Sequence, residues 1–179
     1  LALLDPNNAG IPDEMPAAIT YGASTIASSG SNFDALRADL SALISAYAGD
    51  LESAALIMPV RTAIQISLLA GASAAVDLSA SGGTLFGLPV ATTSALAGDS
   101  DGPTIAMVDV QAVAYALDNL AIETSDQTSL LMSDDPENDE GEMVSLWQTN
   151  TAAWKSEAMA NWEVQRTGAV ILLTGAEYA

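Results

Sequence analysis

A short apolar run, Ala54-Ala-Leu-Ile-Met58, sits between two helical patterns and ends at Pro59. No other stretch narrows the choice of fold as much. Five apolar residues closed by a proline are too short for a helix and read as a buried strand. Pro59 then belongs at the first turn of a second helix, roughly Val60–Ala70, where its missing N–H costs nothing, and Gly71 closes that helix. Upstream, Phe33, Leu36, Leu40, Leu43, Ile44 and Tyr47 recur at helical spacing. This predicts a helix over Phe33–Ala48, with Asn32 or Ser31 as its N-cap and Gly49 as its stop. Asp34 in its first turn complements the helix dipole. Leu36, Leu40 and Leu43 or Ile44 should face inward. A buried strand between two helices implies helices packed on a sheet, so the expected class is α+β, with a mixed β-sheet flanked by helices.

The rest of the chain adds strands and turns. Residues 1–30 are loop-rich, punctuated by Asp5-Pro6-Asn7-Asn8, Gly10, Pro12, Pro16, Gly22 and Ser28-Ser29-Gly30. Within them Ala17–Tyr21 is a strand candidate. Val76–Leu78, Thr84–Phe86, Val90–Thr92 and Ile105–Asp109 read as short extended pieces. Val110–Tyr115 and Leu120–Ser125 continue in that style. The acidic run Asp134–Glu142 is expected to be a solvated loop. Met143–Val164 fits two periods. Trp147 and Trp154, seven apart, suit a helix face, whereas Val144, Leu146, Gln148, Asn150, Ala152 and Trp154 alternate as a strand would. Ala169–Leu173, between Gly168 and Gly175, reads as a final strand.

Composition excludes much chemistry. There is no Cys and no His. Thiolate nucleophiles, disulfides, thiolate zinc sites and imidazole acid–base catalysis are therefore absent, and a Ser-His-Asp triad cannot form. Half of the 179 residues are hydrophobic, enough for a sizeable core. The net charge is −19, with Arg37, Arg61, Lys155 and Arg166 opposing 23 acids. Such a surface repels phosphate, so sequence-specific nucleic-acid binding is not expected. The acidity fits solubility by like-charge repulsion or adaptation to high salt. The uncharged stretch Leu78–Gly98 is too rich in Ser, Gly, Thr and Pro for a membrane helix, and no membrane partner is expected. The opening residues show no leader pattern, and a start at Leu1 suggests a processed product or an excised fragment.

The motifs that could carry chemistry fail on spacing. Asp135, Glu137 and Asp139 alternate, but Gly141 comes one place late for a calcium-hand loop and no Glu closes it. Asp99-Ser-Asp101-Gly102 reads as a turn. Ser24, Ser28 and Ser29 lie near glycine without a G-x-S-x-G elbow. Gly82, Gly83 and Gly87 fit neither a phosphate loop nor a dinucleotide fingerprint. No two carboxylates stand out as a glycosidase pair. The three tryptophans are expected to pack in a core or an interface. The expectation is thus no enzyme, no catalytic residue, no metal ligand and no cofactor.

The C-terminal wording MVSLWQTNTAAWKSEAMANWEVQRTGAVILLTGAEYA resembles the closing segment of tailed-phage major capsid proteins of the Hong-Kong-97-type shell fold. In that family a "slwQtN…a…e…nW…r.ga" string forms the last long element. Other pieces occur in the family's order: the helix Phe33–Tyr47, the strand-then-Pro step ending at Pro59, Phe86-Gly87-Leu88-Pro89-Val90 for "l.G.PV", and Ile105–Asp109 for "i.l.d". Pro16–Gly22 followed by Ile26–Gly30 is similar to the opening of one capsid subfamily.

The resemblance implies the strand reading of Met143–Val164 and a capsid axial domain over 33–133. It implies a loop-rich connector from the peripheral domain over 1–32. Residues 134–179 would be an acidic loop and the long returning strands of a partial peripheral domain. It leaves no room for the family's N-terminal arm, its extended loop or most of its spine helix. It implies a structural subunit of an icosahedral head that self-assembles into pentamers and hexamers around double-stranded DNA. Portal, scaffold and decoration proteins are possible further partners. The implied locations are the virion and, before assembly, the bacterial cytoplasm. Lys155 stands in the tail, so no lysine–asparagine crosslink site is carried over. Competing expectations are an encapsulin-like compartment shell and a secreted acidic binding or adhesin domain.

Overall fold

A computed structural model describes residues 3–12, 14–71, 73–96, 102–133 and 141–178. The chain divides into two compact units, Leu1–Tyr115 with Asn161–Ala179, and Ala116–Ala160.

The first unit is built on a mixed seven-stranded sheet. Its strands are β1 (Ser24–Ala27), β2 (Ala54–Pro59), β3 (Val76–Ser79), β4 (Gly82–Leu85), β5 (Leu88–Thr93), β6 (Ile105–Asp109) and β13 (Val170–Thr174). Their spatial order is β1-β13-β6-β2-β5-β4-β3. β1 runs parallel to β13, and β2 parallel to β5, while the remaining neighbours are antiparallel. The central strands are apolar but for their last residues, because they are covered on both faces. All five residues of β6 are buried.

Register separates the two faces. Leu56 pairs with Val90 and Met107, and Met107 with Ile171, placing these side chains on one face. That face packs beneath α1 (Phe33–Ala46) and α2 (Val60–Ala70) through Leu36, Leu40, Leu43, Ala63 and Ile66. Ile57, Ala106 and Leu172 lie on the opposite face with Val108 and Val170. There the cover is the N-terminal segment, through Leu4 and Ile19, together with Leu96 and the half-buried Trp162 and Val164.

α1 starts as its sequence predicts. The Asn32 side chain accepts the Ala35 N–H at 2.9 Å. Leu43 is the inward choice, since Ile44 is 41% exposed. The helix ends two residues early, at Ala46, with the Tyr47 N–H bonded to the Leu43 carbonyl. Gly49 is not its stop. A Cβ there would lie 2.4 Å from the Tyr47 ring, so the glycine makes room for the folded-back tyrosine.

Two of the expected strands are corrected. Ala17–Tyr21 is not a strand: the Tyr21 N–H closes a turn on Ala18 O. Ala18, Ile19 and Thr20 are nonetheless buried, which explains their apolar wording. The strand is instead Ser24–Ala27. Residues 110–112 form a 3₁₀ turn rather than a strand, opened by the Asp109 carboxylate accepting the Gln111 N–H.

The β4–β5 hairpin is tight. Leu85 pairs with Leu88 across a two-residue loop, Phe86-Gly87, in which both residues have positive φ. Such loops normally carry Asn or Gly first. Phe86 at φ 51° costs about 1–2 kcal/mol relative to glycine. In β4, a Cβ at Gly83 would come 1.9 Å from the Asp77 carbonyl oxygen, so this position excludes every side chain.

The second unit consists of strand pairs. β8 (Ala121–Ser125) pairs with β11 (Ala153–Glu157), and β9 (Ser129–Met132) with β10 (Glu142–Ser145), both antiparallel. A further pair, β7 (Val113–Leu117) with β12 (Ala160–Val164), falls at the unit boundary, with most of its residues in the first unit. The single strand expected over Met143–Val164 is therefore broken. α3 (Leu146–Thr149) interrupts it with one helical turn, ended by Asn150 in the left-handed region at φ 51° and ψ 44°. Short polar Asn tolerates that conformation and ends the turn.

The units also divide the chain differently from the expected 1–32, 33–133 and 134–179. Val170–Thr174, expected among returning strands, lies inside the seven-stranded sheet between β1 and β6. Its four buried residues, Val170–Leu173, need cover on both faces, which the large sheet provides.

Candidate functional site

Two buried carboxylates organise the first unit. Asp39, on the inward side of α1, is 2% exposed. It accepts the Ser28 and Tyr178 hydroxyls, each at 2.7 Å, and the Ser29 N–H at 2.9 Å. Burial pushes its pKa up, but the bonds from Ser29, Ser28 and Tyr178 outweigh that and hold it below the ordinary value. The tyrosine responds in the opposite sense, because burial and the adjacent carboxylate raise its pKa. One carboxylate thereby ties the end of β1, a helix and the C-terminal segment together.

Asp109, at the end of β6, is fully buried. Its oxygens accept the Ser53 hydroxyl at 2.6 Å, the Gln111 N–H at 3.1 Å and the Asp50 N–H at 3.2 Å. The Arg166 guanidinium completes the set as an ion pair. Here too burial raises the pKa, while Ser53, Asp50, Arg166 and Gln111 bring it down overall. Nearby Tyr47 is pushed up to about 12 by burial and by the Asp109 charge. Both carboxylates are taken up by hydrogen bonds from within the chain, an arrangement that fixes backbone. Sequence reasoning missed both. The available signals were the position of Asp39 one residue before Leu40 on the inward face and Asp109 closing an apolar strand.

The residues weighed for chemistry are scattered. Ser28 and Ser29 serve Asp39, while Ser24 starts β1. Gly82 and Gly83 lie in β4, and Gly87 in the hairpin turn. Asp99 and Asp101, and the carboxylates Asp135, Glu137 and Asp139, fall outside the described residues, as does most of the expected loop Asp134–Glu142. Among the described residues, no group of three or more Asp or Glu is placed to hold a metal ion. No described helix is long and apolar enough to cross a membrane.

What remains is surface. Trp162 is the tryptophan that fulfils the packing expectation. Its ring lies against the second face of the sheet, and its indole N–H donates to the Ala17 carbonyl at 2.8 Å. Trp147 and Trp154 are not in a core: they are 71% and 77% exposed. In the β8–β11 pair, Trp154 stands opposite Thr124 and Ser156 opposite Ile122, giving one uncharged face. Glu123, Lys155 and Glu157 occupy the other, where Lys155 and Glu157 pair at 2.6 Å. Leu117, Leu120, Ile122, Met143 and Met159 are also largely exposed. Apolar side chains displayed in this number mark surface that associates.

Comparison with known proteins gives the same direction. The capsid polyprotein of Pseudomonas phage PAJU2 is 34% identical over 186 residues, covering 98% of this chain. The chain is similar to part of a phage capsid polyprotein and spans 28% of that polyprotein's length. Two solved structures share its fold. The capsid of a native GTA particle aligns over 93% of the chain and 58% of its own length, at a TM-score of 0.54 and 16% identity. A structure of Gordonia phage Cozz aligns over 97% and 57%, at 0.55 and 14%. No protein-family model matches the chain. The α+β class and the capsid resemblance read from the sequence both hold.

Proposed function

We propose that this chain is part of a major capsid protein, a structural subunit of an icosahedral phage head. The observation that carries this reading is identity of 34% to a capsid polyprotein along nearly the whole chain. The absence of His and Cys from the sequence is in keeping with a role that needs no catalysis. In this reading the seven-stranded unit is the axial domain and the unit Ala116–Ala160 belongs to the peripheral domain. Copies associate into rings of five and six through complementary edges, and rings close into a shell. The subunit works in the virion, after assembly in the host cytoplasm. With a net charge of −19, its surfaces repel packaged DNA weakly and leave it mobile. Portal, scaffold and decoration proteins are its further partners.

Electron microscopy and sedimentation should compare the chain alone with a polypeptide extended to the length of the polyprotein relative. Closed particles are expected from the extended polypeptide. An extended polypeptide that stays monomeric in every buffer and binds a small ligand instead would overturn the reading.

A further inference from the structure

We propose that residues 3–21 form a strap that lifts from the second face of the sheet as one piece, hinged at Gly22, while the sheet and its helices stay folded. The device belongs to the first unit alone and does not depend on what the chain assembles into.

The strap is tied to itself rather than to the sheet. The Ile19 N–H bonds to the Leu3 carbonyl and the Ala18 N–H to the Asn8 carbonyl, each at 3.0 Å, so its two legs are held together. Ile11 and Met15 bond each other in both directions at its turn. Among the described residues, no strand of the sheet forms a ladder with it. Its hold on the sheet is apolar, because Leu4 and Ile19 pack in one cluster with Ala106, Val108, Val170 and Leu172. The Trp162 indole N–H adds a polar clasp, at 2.8 Å to the Ala17 carbonyl. A segment bonded within itself and docked through side chains parts from its support without breaking a β-ladder, which is the condition for local opening.

Two further observations favour lifting. Thr20 is 1% exposed, and its hydroxyl has no hydrogen-bond partner among the described residues. Burying a hydroxyl unpaired opposes docking, and water satisfies it once the strap is up. Gly22, between the strap and β1, has a φ of 68° and no atom within 4 Å of where a Cβ would stand. The chain there swings without displacing a neighbour, and one turn bond spans the hinge, from the Ala23 N–H to the Thr20 carbonyl at 3.2 Å. Lifting uncovers Ala106, Val108, Val170 and Leu172. The first unit can therefore conceal or present that apolar strip without unfolding.

The sequence has no cysteine, so single thiols report on opening. Leu4→Cys and Ala18→Cys lie on the two legs of the strap, Ala63→Cys on the buried side of α2, and Ser41→Cys on the exposed side of α1. Each variant is first shown to be folded by circular dichroism. Maleimide labelling without denaturant should then be slowest at Ala63→Cys. The two strap thiols should label at similar rates, roughly tenfold or more above Ala63→Cys and below Ser41→Cys. Ala18→Cys, the smaller change, carries the comparison if Leu4→Cys fails to fold. Adding Thr20→Val to Ala18→Cys should slow labelling about tenfold, since valine docks without stranding a hydroxyl. Strap thiols as slow as Ala63→Cys would open only on global unfolding, which overturns the proposal. Strap thiols with widely different rates would mean fraying rather than lifting in one piece, and also overturn it. Labelling that Thr20→Val leaves unchanged or speeds would overturn the part assigned to the Thr20 hydroxyl.

Discussion

Tyr178→Phe tests the anchoring of the C-terminal segment with a one-atom change. The phenol ring is fully buried, and a phenyl ring fills the same space, so no cavity opens. What disappears is the hydroxyl donated to Asp39 at 2.7 Å. Hydrogen bonds to a charged group contribute about 1.5–3 kcal/mol. Asp39 keeps the Ser28 hydroxyl and the Ser29 N–H, so it is not stranded. The expected loss is therefore about 1.5–3 kcal/mol, or roughly 3–12 °C in Tm for a chain of this size. The pH dependence has a fixed sign. Asp39 titrates below its ordinary 3.8 when folded. Its stabilisation is full above that value and is lost as pH falls through the lower folded one. The gap between wild type and Tyr178→Phe should be widest at neutral pH and narrow in acid. Urea unfolding followed by circular dichroism at neutral pH and near pH 3 measures both. An unchanged midpoint at neutral pH, or a loss that does not shrink in acid, would refute the argument.

Leu40→Ala should cost about 2–5 kcal/mol by removing a side chain from under the sheet, and Ser41→Ala next to it should be neutral; thermal unfolding of both settles which face of α1 is inward. Arg166→Gln should cost about 1–3 kcal/mol, less than breaking a fully buried pair, because Asp109 retains three other donors and the guanidinium is half exposed. Denaturant titration would show an error if that variant were as stable as wild type.

The legible parts of the fold are those where local chemistry and tertiary packing agree. Asn32, the spacing of Leu36, Leu40 and Leu43, and the apolar run before Pro59 each specify their element whatever surrounds them. Ile105–Asp109 was legible for the same reason, since a run buried on both faces has little else it can be. The misreadings arise where long-range contacts decide. Ala18 and Ile19 are apolar because they cover a sheet, not because they extend into one. Leu146 and Trp154 share a period-two pattern, but a helical turn capped by left-handed Asn150 lies between them. Asp39 and Asp109 were invisible as sites because their partners, Tyr178 and Arg166, lie far away in sequence. The missing catalytic residue types could be read at once, since composition alone decides them.

The pairing of β1 with β13 has a mechanical consequence. These strands come from near opposite ends of the chain, yet they lie side by side and parallel, from Ser24↔Ile171 to Ala27↔Thr174. The start of β1 and the finish of β13 therefore sit at opposite ends of the ribbon. Tension pulling the chain by those two points slides one strand along the other and loads every bond of the pair together, rather than peeling them open one at a time. The Ser28–Asp39–Tyr178 bonds sit at the far end of the same ribbon and pin it across to α1. A wall held under internal pressure is stretched within its own plane, and a pair of strands loaded in this way resists stretching better than one that unzips.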